Sequence, residues 1–272
     1  MHQARSPGLP SFWEVRAPEG WTCIDFISDL HLAEDTPRSF GAWADHLLST
    51  PADAVFILGD LFEVWVGDDA RHTGFEARCA EVLAEAAAIR TIAFMAGNRD
   101  FLVGGEMLKA CGVMALPDPT VLMAFGERLM LSHGDALCLA DVDYQQFRRQ
   151  VRSDEWRSSF LKRPLAERRE LARHIRAESE QRKTLNAGAT WYDVDSGAAV
   201  RWMHEAGTPT LVHGHTHRPG SEAMAPGFIR HVLSDWDLDQ AQGAPRAQVL
   251  RLSASGFERL SVALALQGAP SS

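Results

Sequence analysis

Cysteine is scarce in this chain of 272 residues: four thiols, at 23, 79, 111 and 138, share no metal-type spacing, and three of them fall in apolar segments. Neither a disulfide framework nor a thiolate metal centre is encoded, and reduced core thiols are the expectation. Long apolar runs are missing too. No stretch approaches the roughly 20 residues that cross a bilayer, and no charged start followed by an apolar core marks an export signal, so the expected location is the cytoplasm. Nor is there an excess of positive charge. The 27 Lys and Arg stand against 36 Asp and Glu, a net −9 that excludes a general nucleic-acid binder. What is present is a 46% hydrophobic composition, enough to bury a substantial core in one large α/β domain or two small ones.

The chain is organised around Asp60. Ala54 to Leu58 is a short apolar, β-branched run of the kind buried in a parallel sheet, and it ends on Gly59 and then a carboxylate. Ligands of open α/β sheets sit at that carboxyl edge. Other runs end similarly. Thr22 to Ser28 reads as a strand ending in Asp29-Leu30-His31, Thr91 to Ala96 ends at Gly97-Asn98-Arg99-Asp100, Arg128 to Ser132 at His133-Gly134-Asp135, and Thr210 to His213 at Gly214-His215-Thr216-His217. Residues two apart on an extended chain face the same side, so Asp29 with His31, and His215 with His217, are expected to converge through strand alternation. Taken singly, each motif has a plainer reading: a helix cap or loop acid for Asp60, an Asp–His hydrogen bond, a Gly-Asn turn, a structural histidine. Together they give seven nitrogen or oxygen donors and no thiolate, Asp29, His31, Asp60, Asn98, His133, His215 and His217. That set fits two divalent ions better than one tetrahedral site. Ions about 3.5–4 Å apart, sharing a carboxylate, stabilise both the entering and the leaving oxygen in phosphoester hydrolysis. Asp60 is the expected bridge.

Between these ends, helices are predicted after Pro37 (Phe40, Trp43, Ala44, Leu47, Leu48), after Thr73 as cap (Phe75, Cys79, Val82, Leu83, Ala86, Ile89), over Glu106 to Ala110 and over Ala198 to His204. A hairpin is expected to turn at Gly126-Glu127, and further strands at Phe228 to Ser234, Val249 to Ser253 and Leu260 to Leu264. Residues 1 to 20, with three prolines and two glycines and no periodicity, read as an extension outside the fold, and the end from Gln267 as frayed. From about Asp141 to Asn186 strand–helix alternation gives way to nearly continuous helical pattern, read as an inserted subdomain, 141–186, dividing a core of 21–140 and 187–266. Its apolar stripe is Trp156, Phe160, Leu161, Leu165, Leu171 and Ile175. Residues 148 to 183 hold 12 bases and 6 acids, a local +6 that leaves −15 on the rest. A solvated helix face over the core is one reading; a cationic, partly apolar cover for anionic lipid or a phosphate-bearing amphiphile is the other.

Asp-x-His, Gly-Asp, Gly-Asn-x-Asp, His and Gly-His-x-His in this order resemble the calcineurin-like metallophosphoesterases over roughly residues 24 to 235. Ile57 to Asp69, Gly97 to Leu102, His133 to Cys138 and His213 to Pro219, with Tyr144-Gln-x-Phe-Arg and Asp193-Val, are more closely similar to one branch, the UDP-2,3-diacylglucosamine pyrophosphatases of lipid A synthesis. The resemblance implies an α/β fold, a β-sandwich flanked by helices in α-β-β-α layers with an inserted helical lid. It implies hydrolysis of UDP-2,3-diacylglucosamine at the uridyl-side phosphorus to UMP and the acylated sugar 1-phosphate, with two manganese ions. Carried over by motif, Asp29, His31, Asp60 and His217 would hold one ion and Asp60, Asn98, His133 and His215 the other. Asp60, Asn98, Arg99 and His133 would form the catalytic group. Arg99 stands where many relatives carry a histidine proton donor; a guanidinium cannot donate a proton at neutral pH but clamps phosphate oxygens. Asn98, Arg99, Asp141, Ser179, Lys183, Asn186 and His215 would contact substrate, although the polar positions between 180 and 190 depart from the family's pattern. The partners implied are the acylated sugar nucleotide and the cytoplasmic face of the inner membrane, met peripherally, with no nucleic acid. Two other readings stay open: a phosphoesterase for soluble nucleotides or phosphoproteins, and a scaffold that has lost catalysis.

Overall fold

The computed structural model describes residues 9–185, 192–239 and 244–262. Among these residues, twelve strands form two six-stranded sheets. The first contains β2 (Cys23–Ile27), β3 (Ala54–Leu58), β4 (Thr91–Met95) and β5 (Met114–Leu116) in parallel, with β11 (Gln248–Ser253) antiparallel to β2 and β12 (Gly256–Ser261) at the edge, in the order β12-β11-β2-β3-β4-β5. The second runs β1-β6-β7-β8-β10-β9, from β1 (Trp13–Arg16), β6 (Thr120–Ala124), β7 (Glu127–Ser132), β8 (Thr210–His213), β9 (Gly220–Ala225) and β10 (Phe228–Val232). The sheets face each other across Phe26, Phe56, Leu58 and Met95 on one side and Leu122, Leu129, Leu131 and Val212 on the other.

Each outer face is covered by helices, because the strands buried on both sides carry unbroken apolar runs. Against the first sheet lie α1 (Pro37–Ser49), α2 (Gly74–Ala87) and α3 (Gly105–Ala110), which bury Trp43, Leu47, Cys79, Leu83 and Met107. Against the second lies α7 (Ser196–Ala206), through Ala198, Trp202 and Met203. This is the α-β-β-α sandwich expected from the resemblance. Between β7 and α7 run α4 (Val142–Val151), α5 (Asp154–Leu161) and α6 (Leu165–Leu185), the first two capped by the side chains of Asp141 and Ser153. Trp156 stacks on Phe160 with ring centroids 4.8 Å apart, and Trp156, Leu165 and Leu171 pack against the core beneath the first sheet.

Three expectations are corrected. Residues 1 to 20 do not all lie outside the fold: Trp13 to Arg16 pair in parallel with Thr120 to Met123, and Ala17 N–H donates to Met123 O at 2.9 Å. A four-residue edge strand among prolines is too short to show a period. The hairpin turns on Phe125-Gly126, both in the left-handed region, one residue earlier than expected. The last strand spans Gly256–Ser261, set by pairing of Gln248 to Ser253 with Ser261 to Gly256, not Leu260 to Leu264; residues beyond 262 lie outside those described.

Candidate metal centre

The ends of β2, β3 and β4 from one sheet and of β7 and β8 from the other meet at one rim. Ile27 stands opposite Ile57, Leu58 opposite Met95, and Ser132 opposite His213. The donors follow those ends. The convergence does not come from strand alternation, as the two-residue spacing suggested, because both pairs lie beyond the last strand residue. Asp29, His31, Asp60, His215 and His217 all have positive φ, between 50° and 67°. Left-handed backbone in non-glycine residues is sustained only where surrounding structure over-determines it. Gly97 and Gly214 allow the close approach: a Cβ on Gly97 would lie 2.8 Å from Asp60 Cγ, and one on Gly214 would lie 2.8 Å from Ser28 Cβ.

Two groups of side chains come within 4.8 Å of one another, Asp29 with His31 and His217, and Asp29 with Asp60 and His133. His217 Nε2 lies 3.3 Å from Asp29 Oδ1 and 3.4 Å from His31 Nε2. Asn98 Oδ1 sits between His133 Nε2 at 3.0 Å and His215 Nδ1 at 2.8 Å, and Asp60 Oδ2 is 3.7 Å from His133 Nε2. All seven predicted donors are therefore gathered, with Asp29 common to both groups. His133 Nδ1 faces the Leu58 carbonyl at 2.9 Å, which can only accept, so Nε2 is the atom turned to the centre. The same logic applies to His31, whose Nδ1 lies 3.0 Å from Glu63 Oε2.

The electrostatics fit a cation. Burial would lower the His133 pKa, but Asp60, Asp29 and Asp135 outweigh it and raise it to about 9. Burial likewise would raise Asp29, yet the hydrogen bond with His217 and the charge of His133 hold it below the ordinary carboxylate range. Asp100 is pushed up to about 7 by burial and by Asp60. His215 is brought down to about 4 by burial and by His133, which keeps that imidazole neutral, the form that binds metal. Asp29, Asp60 and Asp100 are crowded closely enough that Asp60 raises the pKa of Asp100, and hard oxygen with imidazole nitrogen suits divalent cations.

Other groups were not singled out from sequence. Asp100 ties two donor loops together, accepting from Gly97 N and Leu61 N at 2.8 Å each and from Asp60 N at 3.3 Å. Ser28 Oγ donates to Asp29 at 2.5 Å, and His215 N donates to the same carboxylate at 2.9 Å. Glu63 also lies 3.5 Å from Arg99 and pairs with Arg176. Asp100 thus reaches Asp60 and Leu61, and Glu63 reaches Arg99 and Arg176, partners that no spacing rule pairs with these carboxylates. Of the expected substrate contacts, Arg99 stands at the rim with its amide bonded to Asp60 Oδ1 at 2.8 Å. Asp141 is the N-cap of α4, accepting from Tyr144 N at 3.1 Å. Ser179 and Lys183 fall on α6 but their side chains, like Asn186 as a whole, lie outside the described residues.

A helix-flanked sandwich with oxygen and nitrogen donors drawn from both sheets to one rim is the architecture of a metal-dependent phosphoesterase. Residues 24–219 match the calcineurin-like phosphoesterases, and the chain belongs to that family. A protein of Chromobacterium violaceum named UDP-2,3-diacylglucosamine hydrolase is 43% identical over 220 residues, 78% of this chain and 90% of its own length. One of the same name from Ralstonia nicotianae is 43% identical over 240 residues, 84% and 88% of the two chains. Another, from Haemophilus ducreyi, is 37% identical over 238 residues, 86% and 98%.

Proposed function

We propose that this protein hydrolyses the pyrophosphate of UDP-2,3-diacylglucosamine, giving UMP and 2,3-diacylglucosamine 1-phosphate. One observation carries the reading: seven donors from five separate segments gather at one rim, in a chain about 40% identical over most of its length to hydrolases named for that substrate. Asp29, His31, Asp60 and His217 would hold one divalent ion, and Asp60, Asn98, His133 and His215 a second, with manganese the proposed metal. When bound, the ions supply charge that stabilises the oxygens gaining negative charge at phosphorus.

The rest is done by the chain's own groups. Arg99, beside Glu63 at the rim, binds and orients phosphate oxygens through its planar fork. His215 and Asn98 face the same space. Asp141, Ser179, Lys183 and Asn186 are proposed contacts to the glucosamine and its acyl groups. The insert 141–186 is proposed as the cover for the acyl chains, with its Trp156 and Phe160 stacked beside Phe101 of the core and its Phe147 and Leu161 exposed on α4 and α5. An apolar insert whose residues 148 to 183 bear +6 favours this substrate over a soluble nucleotide, which needs no such cover. Among the described residues no helix is long and apolar enough to cross a membrane. Contact with the inner face of the inner membrane is therefore proposed as peripheral, through the basic insert.

The test is release of UMP from the diacylated sugar nucleotide by purified protein supplied with manganese, and its loss on chelation. Turnover of simple aryl phosphates without turnover of the lipid would overturn the assignment.

A further inference from the structure

The first helix of the insert reaches the metal rim through one buried carboxylate. Asp135, two residues after His133 and fully buried, accepts from Tyr144 Oη at 2.5 Å, from Arg148 Nε at 2.7 Å and from Arg152 at 3.5 Å. Gln145 adds a bond to the Asp135 carbonyl at 2.7 Å. Thus α4 and the residue that ends it are fastened to the loop that carries His133. Arg148 and Tyr144 already occupy one oxygen of that carboxylate, Oδ2, at short range. The shorter bond of Arg152 goes elsewhere: its guanidinium donates to Gly97 O at 2.7 Å and lies 5.9 Å from the Phe101 ring centroid.

Gly97 precedes Asn98, so a donor on the Gly97 carbonyl fixes the peptide plane from which Asn98 departs. From the other side Asp100 accepts from Gly97 N at 2.8 Å. Asn98 Oδ1 is the atom set between His133 and His215, and Tyr144 packs over His215 with centroids 5.9 Å apart. The three segments that carry Asn98, His133 and His215 thus each meet a group on or ending α4: Arg152 at the peptide before Asn98, Tyr144 and Arg148 at Asp135 beside His133, and Tyr144 against His215.

We infer that Arg152, anchored by Asp135, is a positioning residue for Asn98, and that α4 belongs to the scaffold of one metal half-site in addition to covering the rim. One guanidinium nitrogen reaches both Gly97 O and Asp135, and the plane it belongs to lies against the Phe101 ring; an ammonium supplies donors but no plane to be held that way. The inference rests on the reading that Asn98, His133 and His215 help hold an ion.

The test is titration of the chelator-stripped full chain with manganese, followed by calorimetry, for wild type, Arg152→Met, Arg152→Lys, Asn98→Ala and the Asn98→Ala/Arg152→Met double variant, with melting curves for each. Loss of an orienting partner outside the ligands weakens metal binding by about 10–100-fold. Arg152→Met is expected to weaken one of two ions by that factor and leave the other unchanged, and Arg152→Lys to recover part of the loss. The double variant is expected to bind no more weakly than Asn98→Ala alone, since both changes act through one side chain. Unchanged binding in Arg152→Met, equal weakening of both ions, or losses that add in the double variant would overturn the inference. Should Arg152→Met not fold, Arg152→Gln and Arg152→Lys decide by the same criterion. Failure of the metal reading itself would show separately, as wild-type protein that takes up no ion.

Discussion

Replacing Gly97 by alanine tests the spacing of the rim with the smallest possible perturbation. Gly97 is not in the left-handed region, so alanine suits its backbone and the effect is purely steric. The added methyl would stand 2.8 Å from Asp60 Cγ and nearer still to the Asp60 amide. Carbon atoms pack at about 3.5 Å or more, so Asp60 or its loop must retreat by at least about 0.7 Å. Misplacement of about 1 Å at a reacting centre costs on the order of 100-fold, which sets the expected fall in kcat for UMP release at about 10- to 100-fold. Overpacking a tight site costs about 1–3 kcal/mol, a melting temperature lower by about 2–4 °C for each kcal/mol in a chain of this size. Gly105→Ala, at the first residue of α3 with nothing within 4 Å of the new methyl, is the control and is expected to change neither quantity. A Gly97→Ala protein with kcat within threefold of wild type would refute the claim that the Asp60 and Asn98 loops are held in close register for catalysis.

Asp60→Ala is expected to abolish turnover while the protein still folds, because it removes a rim ligand and leaves core packing intact; activity and circular dichroism check both halves. Asp25, fully buried in the middle of β2, accepts from Arg251 at 2.7 and 2.8 Å and from Thr50 at 2.6 Å, so Asp25→Asn is expected to cost about 3–5 kcal/mol in denaturant titration without changing turnover per folded molecule. Burial alone would raise the Asp25 pKa, but hydrogen bonds with Arg251, His46 and Thr50 hold it at about 2 against an ordinary 3.8. A depressed pKa stabilises the fold above the ordinary value. About 2 kcal/mol is therefore expected to disappear as pH falls from roughly 4 to 2, a loss that the asparagine variant should not show. Sedimentation with anionic vesicles is expected at low salt and lost at high salt; equal sedimentation with neutral vesicles would contradict a basic insert as the contact.

The donor set was legible in the sequence because the donors follow the ends of apolar runs, and four of them, Asp60, Asn98, His133 and His215, stand beside a glycine. The alternation of strand and helix gave the parallel order of β2, β3 and β4, while the division into two facing sheets came only with the resemblance. The geometry that makes the donors converge was not legible. Spacing by two suggested an extended chain at Asp29 and His31, whereas both residues lie past β2 in left-handed conformation, which the bonds from Leu30 and His31 amides to the Asp60 carbonyl enforce from another strand. The β1 strand was hidden by its prolines and its length. Glu63, Asp100 and Asp135 lie inside the quoted motifs, but what each one holds was not legible, since folding brings it from 32 to 40 residues away or from a helix in the insert.

The central claim is that one rim holds a pair of cations between the two sheets. Anomalous scattering from crystals grown with manganese tests it directly. Two peaks are predicted, one within ligand distance of Asp29, His31, Asp60 and His217 and one within ligand distance of Asp60, Asn98, His133 and His215. A single peak, or peaks away from these side chains, would contradict it.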